Sequence, residues 1–288
     1  MIRVIIVTYN SINEISSCLS SFYKSNCKDL GVTIVDNQSR DETKHFININ
    51  YPEIEIIETD FNGGYAYANN IGIKKYLESK YETDAFLILN PDAIINREQI
   101  FLLYDTFKNN QNIGAVSPWI IEDFKKKRFV KNIFGFNIRK LFDGKNNLLI
   151  TDMLHGACIM IRPKVFFKIG LFDESFFLYA EETEFCYRAC KNGFILLVNS
   201  DIKINHSRND ELRVHTIYYM WRNIFILSKK CFSNIYRYLY LFRRLVILPK
   251  YLIIYGLAGR LDLIKAMLVG IFDGLNGLEG PSHREMLF

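Results

Sequence analysis

The sequence predicts an α/β fold: a predominantly parallel sheet flanked by helices, with a helical C-terminal extension. Three observations carry that expectation. Over the first 120 residues short β-branched runs alternate with segments of helical periodicity, the pattern of a parallel sheet covered on both faces. Of 288 residues, 49% are apolar and 23% charged, a globular balance that excludes wholesale disorder. From Val214 onward the pattern turns helical and rich in Tyr, Phe and Leu.

Each element follows from its own residues. Val4–Val7 reads as the first strand, and Ile12–Phe22 as a helix because Ile12, Ile15, Leu19 and Phe22 recur at helical spacing. Val32–Val35 is a second strand, followed by a polar helix start at Ser39-Arg-Asp-Glu. Ile54–Ile57 is a third, leading through Asn62-Gly63-Gly64 into a helix that runs to Leu77. Ala85–Leu89 and a helix over Arg97–Phe107 complete the alternation. Residues 121–150, with the four bases Lys125–Arg128, read as an exposed connection whose charges are solvated. Regular structure is expected to resume with a strand at His155–Ile161 and a helix after Pro163. A further helix is expected over Glu181–Asn192 with Gly193 as its cap, then a last strand over Ile202–His206.

Several classes are excluded early. The apolar run before Thr8 has four residues, whereas a secretory signal needs roughly 7–15. The apolar stretch Leu245–Ala258 is interrupted by Pro249 and Lys250, short of the about 20 residues that a spanning helix needs. Cysteines 18, 27, 158, 186, 190 and 231 show no CxxC spacing and read as reduced thiols of a cytoplasmic protein, with Cys186 and Cys190 in the core.

The net charge of +5 is unevenly spread. Residues 1–206 carry 24 bases and 25 acids, whereas residues 207–288 carry 12 bases and 6 acids. Trp221–Arg260 interleaves aromatic and aliphatic residues with Arg222, Lys229, Lys230, Arg237, Arg243, Arg244, Lys250 and Arg260. That composition suits an amphipathic element lying on an anionic membrane surface, where each base contributes about 1 kcal/mol. The alternative is a helical bundle packed on the body of the protein. Nucleic acid is disfavoured as a partner, because no nucleic-acid motif accompanies the bases. The expected division is a body of residues 1–225 and a basic helical extension of residues 226–288.

Ligands of open parallel sheets sit beyond the carboxyl ends of the strands. Those ends here are Thr8-Tyr9-Asn10, Asp36-Asn37-Gln38-Ser39, the segment from Asp60 to Asn70, and Asn90-Pro91-Asp92. Each has a bland reading as turn or cap chemistry. Together they place hydroxyls, amides and carboxylates on one edge. Asp36 is a candidate acceptor for a base or ribose, and Gly63-Gly64 permits a backbone to approach a ligand closely. The GxGxxG fingerprint of nicotinamide sites is absent. Asn90-Pro91-Asp92 after an apolar strand fits a metal–diphosphate site, since Mg²⁺ and Mn²⁺ take oxygen ligands and often only one or two carboxylates.

Residues Phe172–Arg188 gather carboxylates and aromatics, which suits a general base beside an acceptor pocket. Glu181 and Glu182 open a helix, where carboxylates also complement the macrodipole. Glu184 and Arg188 are spaced for an ion pair on the helix surface. His155 and His206 each adjoin one of these segments.

These motifs in this order resemble family 2 glycosyltransferases of the GT-A fold, in particular the bacterial rhamnosyltransferase-like branch. The resemblance covers roughly residues 2–225. Its carriers are Val7-Thr-Tyr-Asn10, Val35–Ser39, Asn62-Gly-Gly-Tyr-Ala66 with Asn69–Gly72, Leu89–Asp92, His155-Gly-Ala157, Gly170–Glu174, Phe176–Tyr179, Glu181–Glu184 with Arg188, and Tyr218–Asn223. It implies sugar transfer from a nucleotide-sugar donor with inversion at the anomeric carbon. Thr8, Tyr9, Asn10 and Asp36 would hold base and ribose, with Asn37, Ser39, Asn62, Gly63, Asn69 and Asn90 on the nucleotide side. Asp92 and His206 would bind Mg²⁺ or Mn²⁺, and Glu182 would be the base, with Glu181 as its possible substitute. His155, Gly156, Asp173, Tyr179 and Arg188 would lie on the acceptor side. The implied acceptor is a glycan or polyprenyl-diphosphate-linked hydroxyl at the inner face of the cell membrane, and the donor dTDP-rhamnose or a UDP-hexose. Two departures stand out: Asn90-Pro91-Asp92 replaces an Asp-any-Asp motif, and Glu replaces Asp at the base. A nucleotide-sugar-binding scaffold without catalysis and a nucleotidyltransferase remain as alternatives.

Overall fold

A computed structural model describes residues 1–23, 29–79, 82–108, 110–122, 127–128, 147–206 and 213–282. The alternation read from the first 120 residues is present as β1 (Ile2–Thr8), α1 (Ile12–Phe22), β2 (Leu30–Asp36), α2 (Thr43–Asn50), β3 (Glu55–Glu58), α3 (Gly64–Leu77), β4 (Ala85–Leu89), β5 (Ala93–Ile94), α4 (Arg97–Lys108) and β6 (Ile113–Glu122). The chain continues through β7 (Lys127–Arg128), β8 (Leu148–Thr151), β9 (Cys158–Ile161), α5 (Pro163–Ile169), α6 (Glu181–Lys191) and β10 (Ile195–His206).

The ten strands form one sheet in the order β3-β2-β1-β4-β9-β6-β10-β5, with β7 beside β6 and β8 beside β10. The β3-β2-β1-β4 half is parallel, as is the β6–β10 pair. β9 is antiparallel to both of its neighbours, so the sheet is mixed. Alternation along β1 explains the two cores. Ile2, Val4 and Ile6 face Ile15, Leu19, Phe22, Leu103 and Phe107, whereas Ile5 faces Ile73, Phe86, Phe166, Phe172 and Phe185 on the other side. Strand order reverses at β1, which opens a crevice between the ends of β1 and β4.

Three expectations are corrected here. Residues 121–150 are not one connection: Ile121 and Glu122 end β6, Lys127–Arg128 pair with them, and Leu148–Thr151 pair with β10. Lys125 and Lys126 of the basic run lie outside the described residues. The strand after it begins at Cys158, because His155-Gly156-Ala157 forms a turn in which Cys158 N donates to His155 O at 3.4 Å. The final strand starts seven residues earlier than Ile202, at Ile195, and a bulge between Asn199 and Lys203 lets it bend.

Four helices follow: α7 (Val214–Cys231), α8 (Asn234–Val246), α9 (Leu248–Leu257) and α10 (Leu261–Leu275). The division at residue 225 falls inside α7, one continuous helix. Glycines let α10 touch α7 closely: a Cβ on Gly270 would lie 2.5 Å from Tyr218 O, and one on Gly274 2.7 Å from Arg222 O. The buried Asp273 accepts a hydrogen bond from Tyr218 Oη at 2.8 Å across that seam. Among the described residues no helix is long and apolar enough to cross a membrane. The described cysteines are free thiols, four of them buried.

Candidate active site

The parallel register of β1 and β2 sets Thr8 opposite Asp36. Thr8 Oγ1 donates to Asp36 Oδ1 and Ser39 N to Asp36 Oδ2, both at 2.9 Å. Asn10 N donates to Ser39 Oγ at 2.9 Å, and Asn10 Oδ1 accepts from Arg40 N at 2.8 Å. Asn37 spans the next gap: its Nδ2 donates to Asn62 Oδ1 at 2.8 Å, and its Oδ1 accepts from Gly63 N at 3.1 Å. Thr8, Asp36, Asn37 and Ser39 are buried, Asp36 completely. They form a framework that holds the exposed rim of Tyr9, Asn10, Gln38 and Phe61 in register. Phe61 stacks on Tyr67 with ring centroids 5.0 Å apart.

Two residues expected at the nucleotide are used otherwise. Asn69 is buried inside α3 and donates to Tyr65 O at 2.9 Å. The close approach permitted by the glycine turn is internal. A Cβ on Gly64 (φ +86°) would lie 2.2 Å from Phe177 O, which accepts from Tyr65 N at 2.9 Å, and one on Gly63 would meet the Tyr67 ring.

At the end of β4, Asn90 N donates to Ala157 O at 2.9 Å, tying the Asn90–Asp92 turn to the His155 turn. The antiparallel pairing of β5 with β10 sets Ala93 opposite His206, so Asp92 adjoins the histidine. His206 Nε2 lies 3.1 Å from Asp92 Oδ1, and the His155 ring lies edge-on to that of His206 at 5.4 Å. His155 Nδ1 accepts from Ala157 N at 3.1 Å, which leaves its neutral proton on Nε2. Beside them, burial and then the charge of Asp92 push the Cys18 thiol upward, and its Sγ donates to Asn90 O at 3.6 Å. Among the described residues no three His, Cys, Asp or Glu side chains cluster as a complete metal cage. One carboxylate and one imidazole do meet, and the buried Oδ1 of Asn90, two residues before Asp92, has no hydrogen-bond partner. That donor set fits a divalent cation that retains positions for phosphate oxygens.

The carboxylate pair is held at the start of α6 by strained backbone. Phe177 (φ 64°), Tyr179 (φ 68°) and Ala180 (φ 78°) all have positive φ, costing about 1–3 kcal/mol each. Glu181 is buried, and Glu182 keeps part of its surface open. Burial raises both pKa values. The charge of Glu182 raises Glu181 further, whereas Glu182 is lowered by hydrogen bonds and by His155. The protonated form is thus favoured more strongly at Glu181 than at Glu182. Gly156 faces Glu182: a Cβ there would lie 3.6 Å from Glu182 Cγ and 3.8 Å from Tyr65 Oη. Tyr65 Oη donates to Gly156 O at 2.7 Å, and burial followed by the charges of Glu181 and Glu182 pushes its pKa up.

His155 and Gly156 thus meet Glu182, and Tyr179 stands at the rim with its hydroxyl 3.0 Å from Thr216 Oγ1. Asp173 and Arg188 serve the fold instead. Asp173 caps a 3-10 turn (Glu174–Phe176) by accepting from Ser175 N at 3.0 Å and pairs with Lys230 at 2.6 Å. Burial opposes its ionisation, but hydrogen bonds from Lys230 and Ser175 prevail and lower its pKa. Arg188 grips Glu184 through two hydrogen bonds, at 2.6 and 2.8 Å, and donates to Leu171 O at 2.7 Å. The expected surface pair is thus anchored on a buried glutamate. In the sequence Tyr65, Arg222 and Asn223 stand only inside longer motifs, and Arg222 reads as one base of the amphipathic stretch Trp221–Arg260. Its position between two tyrosines and an asparagine on an apolar helix was the available signal.

The strand order, with a crevice where it reverses and a polar rim above it, defines a fold of the GT-A type. Residues 3–170 match the profile of Glycosyl transferase family 2, and the chain belongs to that family as a hexosyltransferase. It is 31% identical to the low-salt glycan biosynthesis hexosyltransferase Agl10 of Haloferax volcanii over 81% of this chain and 77% of that protein. The dTDP-rhamnosyl transferase RfbF of Shigella flexneri is 26% identical over 97% of both chains. The N-acetylglucosaminyl-diphospho-decaprenol L-rhamnosyltransferase of Mycobacterium tuberculosis is 22% identical over 72% of this chain and 76% of its own. Among solved structures, the mannosyltransferase PcManGT of Pyrobaculum calidifontis in complex with GDP-Man and Mn²⁺ shares the fold, with a TM-score of 0.62 at 14% identity. The match covers 95% of this chain and 86% of that one.

Proposed function

We propose that the protein transfers a sugar, with inversion, from a nucleotide-sugar donor to a hydroxyl of a lipid-linked glycan in surface-polysaccharide synthesis. The rhamnosyltransferase relatives favour dTDP-rhamnose as donor, with a UDP-hexose as the alternative. One observation supports the reading above others: a continuous line of contacts runs from Glu182 through the His155-Gly156 turn to His206 and Asp92. It spaces a base from a diphosphate-binding end across one cleft, as a single displacement requires.

In that reaction the acceptor oxygen attacks the anomeric carbon and its proton passes to Glu182. The bond from that carbon to the diphosphate breaks, and the nucleoside diphosphate departs with the electron pair. Burial and the charge of Glu182 favour the protonated form of Glu181, which leaves Glu182 as the carboxylate to take the acceptor proton. Tyr9, Asn10, Gln38 and Phe61 line the nucleotide over the framework of Thr8, Asp36, Asn37 and Ser39. Asp92 and His206, with Asn90, would hold Mg²⁺ or Mn²⁺, which neutralises charge on the leaving diphosphate.

The extension is read as the membrane contact. Ile235, Leu239, Phe242 and Val246 of α8 fall on one helical face and are 58–68% exposed. Lys229, Arg243 and Lys250 are exposed nearby. Arg222, Lys230 and Arg260 are engaged within the protein. An exposed apolar stripe beside bases, within a stretch from Arg213 to Leu261 that carries no acid, fits anionic lipid at the inner membrane face.

Nucleoside diphosphate release from a nucleotide-sugar panel with Mn²⁺ and a lipid-diphosphate acceptor tests the chemistry. Glu182→Gln is expected to lose at least 100-fold in turnover while still binding nucleotide. Turnover by no donor, with nucleotide bound, would favour the scaffold alternative. Loss with Glu181→Gln alone would move the base to Glu181.

A further inference from the structure

We infer that Arg222 and Asn223, in the middle of α7, are positioning residues for the carboxylate pair, clamping the strained loop that delivers Glu181 and Glu182 to the cleft. The inference rests on the reading of Glu182 as base.

A single amide does most of the holding. Asn223 Nδ2 donates to Phe176 O at 3.1 Å, Leu178 O at 2.7 Å and Tyr179 O at 2.7 Å. Two N–H groups serving three carbonyls means that one hydrogen is shared. Arg222 sets the orientation of that amide. Its Nε donates to Asn223 Oδ1 at 2.9 Å, so the nitrogen must face the loop. Arg222 Nη2 also reaches Phe176 O at 2.7 Å, and Nη1 reaches Gly280 O at 2.5 Å. The remaining carbonyl, Phe177 O, accepts from Tyr65 N at 2.9 Å, so every carbonyl from Phe176 to Tyr179 has a donor.

The loop needs such a clamp. Its three positive-φ residues lack glycine's freedom, and they relax unless their surroundings overdetermine them. Arg222 is 1% exposed and lies over the Tyr219 ring at 4.7 Å, while Phe177 packs against the same ring at 4.9 Å. Burial lowers the pKa of this guanidinium, against the opposing effects of Tyr218, Tyr219 and the buried Asp273, so the cation is costly to keep. Holding the approach to Glu181 gives it a use. An extension that only attached the protein to lipid would need neither residue.

The full-length chain carrying Asn223→Ala or Asn223→Asp tests this. Aspartate keeps an acceptor for Arg222 but sets a carboxylate against three carbonyls, so both variants should release the loop. Expected for both is a fall in kcat of at least 30-fold with UDP or dTDP affinity, by calorimetry, within about threefold of wild type. The acid limb of the kcat–pH profile should move to lower pH as Glu181 and Glu182 regain water. Wild-type kcat in Asn223→Asp would overturn the inference. So would a loss of kcat matched by an equal loss of nucleotide affinity, the signature of general unfolding. If Asn223→Ala fails to fold, Arg222→Lys, which keeps charge but loses the fork, should give the same split, and an unchanged profile there overturns it. A fully active Glu182→Gln would instead sink the base assignment, which this comparison keeps separate.

Discussion

Replacing Glu181 with glutamine should flatten the dependence of stability on pH. In the wild type, burial and the neighbouring Glu182 charge hold the Glu181 pKa well above the ordinary carboxylate range. A raised folded-state pKa means that the native state binds a proton that the unfolded chain has released. The resulting stabilisation is complete below the unfolded pKa and is lost as pH rises through the folded one. Across that window wild-type unfolding free energy should fall by about 1.4 kcal/mol per pH unit for one proton. For a chain of this size that is about 2–5 °C in Tm per unit. The amide of Glu181→Gln brings its own cost, since the site offers Oε2 no hydrogen-bond partner. That cost is the same at every pH and drops out of the slope. Urea melts of both proteins from pH 4.5 to 8 provide the measurement. The variant should lose at least half of the wild-type slope. Parallel stability curves would refute the coupled-pair reasoning, whatever the absolute stabilities.

Three other outcomes are expected. Gly270→Ala should destabilise by about 1–3 kcal/mol, because its Cβ would lie 2.5 Å from Tyr218 O in the α7–α10 seam; a melt unchanged within error would show that the seam can open. Asp92→Asn should raise the Mn²⁺ concentration needed for half-maximal turnover by at least tenfold while metal-free nucleotide affinity holds, and an unchanged metal titration would remove Asp92 from the metal site. Phe242→Asp should reduce partition onto anionic vesicles by about 10–150-fold, the equivalent of losing 1.5–3 kcal/mol of apolar burial, and equal sedimentation of variant and wild type would count against α8 as the lipid contact.

How much was legible in the sequence depended on whether a signal was local. The β1 to α4 alternation reports itself, since each strand is a short β-branched run and each helix carries its own periodicity. β9 reversed direction unseen, because Cys158–Ile161 is apolar on both faces whichever way it runs. The strand ends were readable as a set, but not which residues are framework and which are rim: burial of Asp36 follows from its pairing with Thr8 across two strands. The glutamate pair was found from composition, whereas the left-handed turn before it was not. Phe177, Tyr179 and Ala180 give no hint of positive φ, which ordinarily asks for glycine. The role of Tyr65 is hidden for a related reason, as its meeting with Gly156 spans 91 residues.

The same distinction decides how the C-terminal helices should be dissected. Residues 226–288 look separable in the sequence, and deleting them would be the obvious test of lipid attachment. The structure argues against reading such a deletion that way. Removing α10 strips Gly270, Asp273 and Gly274 from α7 and exposes the seam beside Tyr218 and Arg222, while losing Gly280 removes an acceptor for the Arg222 guanidinium. The Phe176–Ala180 loop would then relax along with its carboxylates, and activity would fall whether or not any membrane was involved. Point changes on the outward face of α8 avoid this, because Ile235, Leu239 and Phe242 are exposed while Tyr240 faces inward and packs against Phe232. A charge at Phe242 that abolishes vesicle binding yet spares turnover on a short, soluble acceptor would separate attachment from catalysis. Loss of turnover on that acceptor as well would tie α8 to the loop through α7, making the helical extension part of the catalytic unit in full.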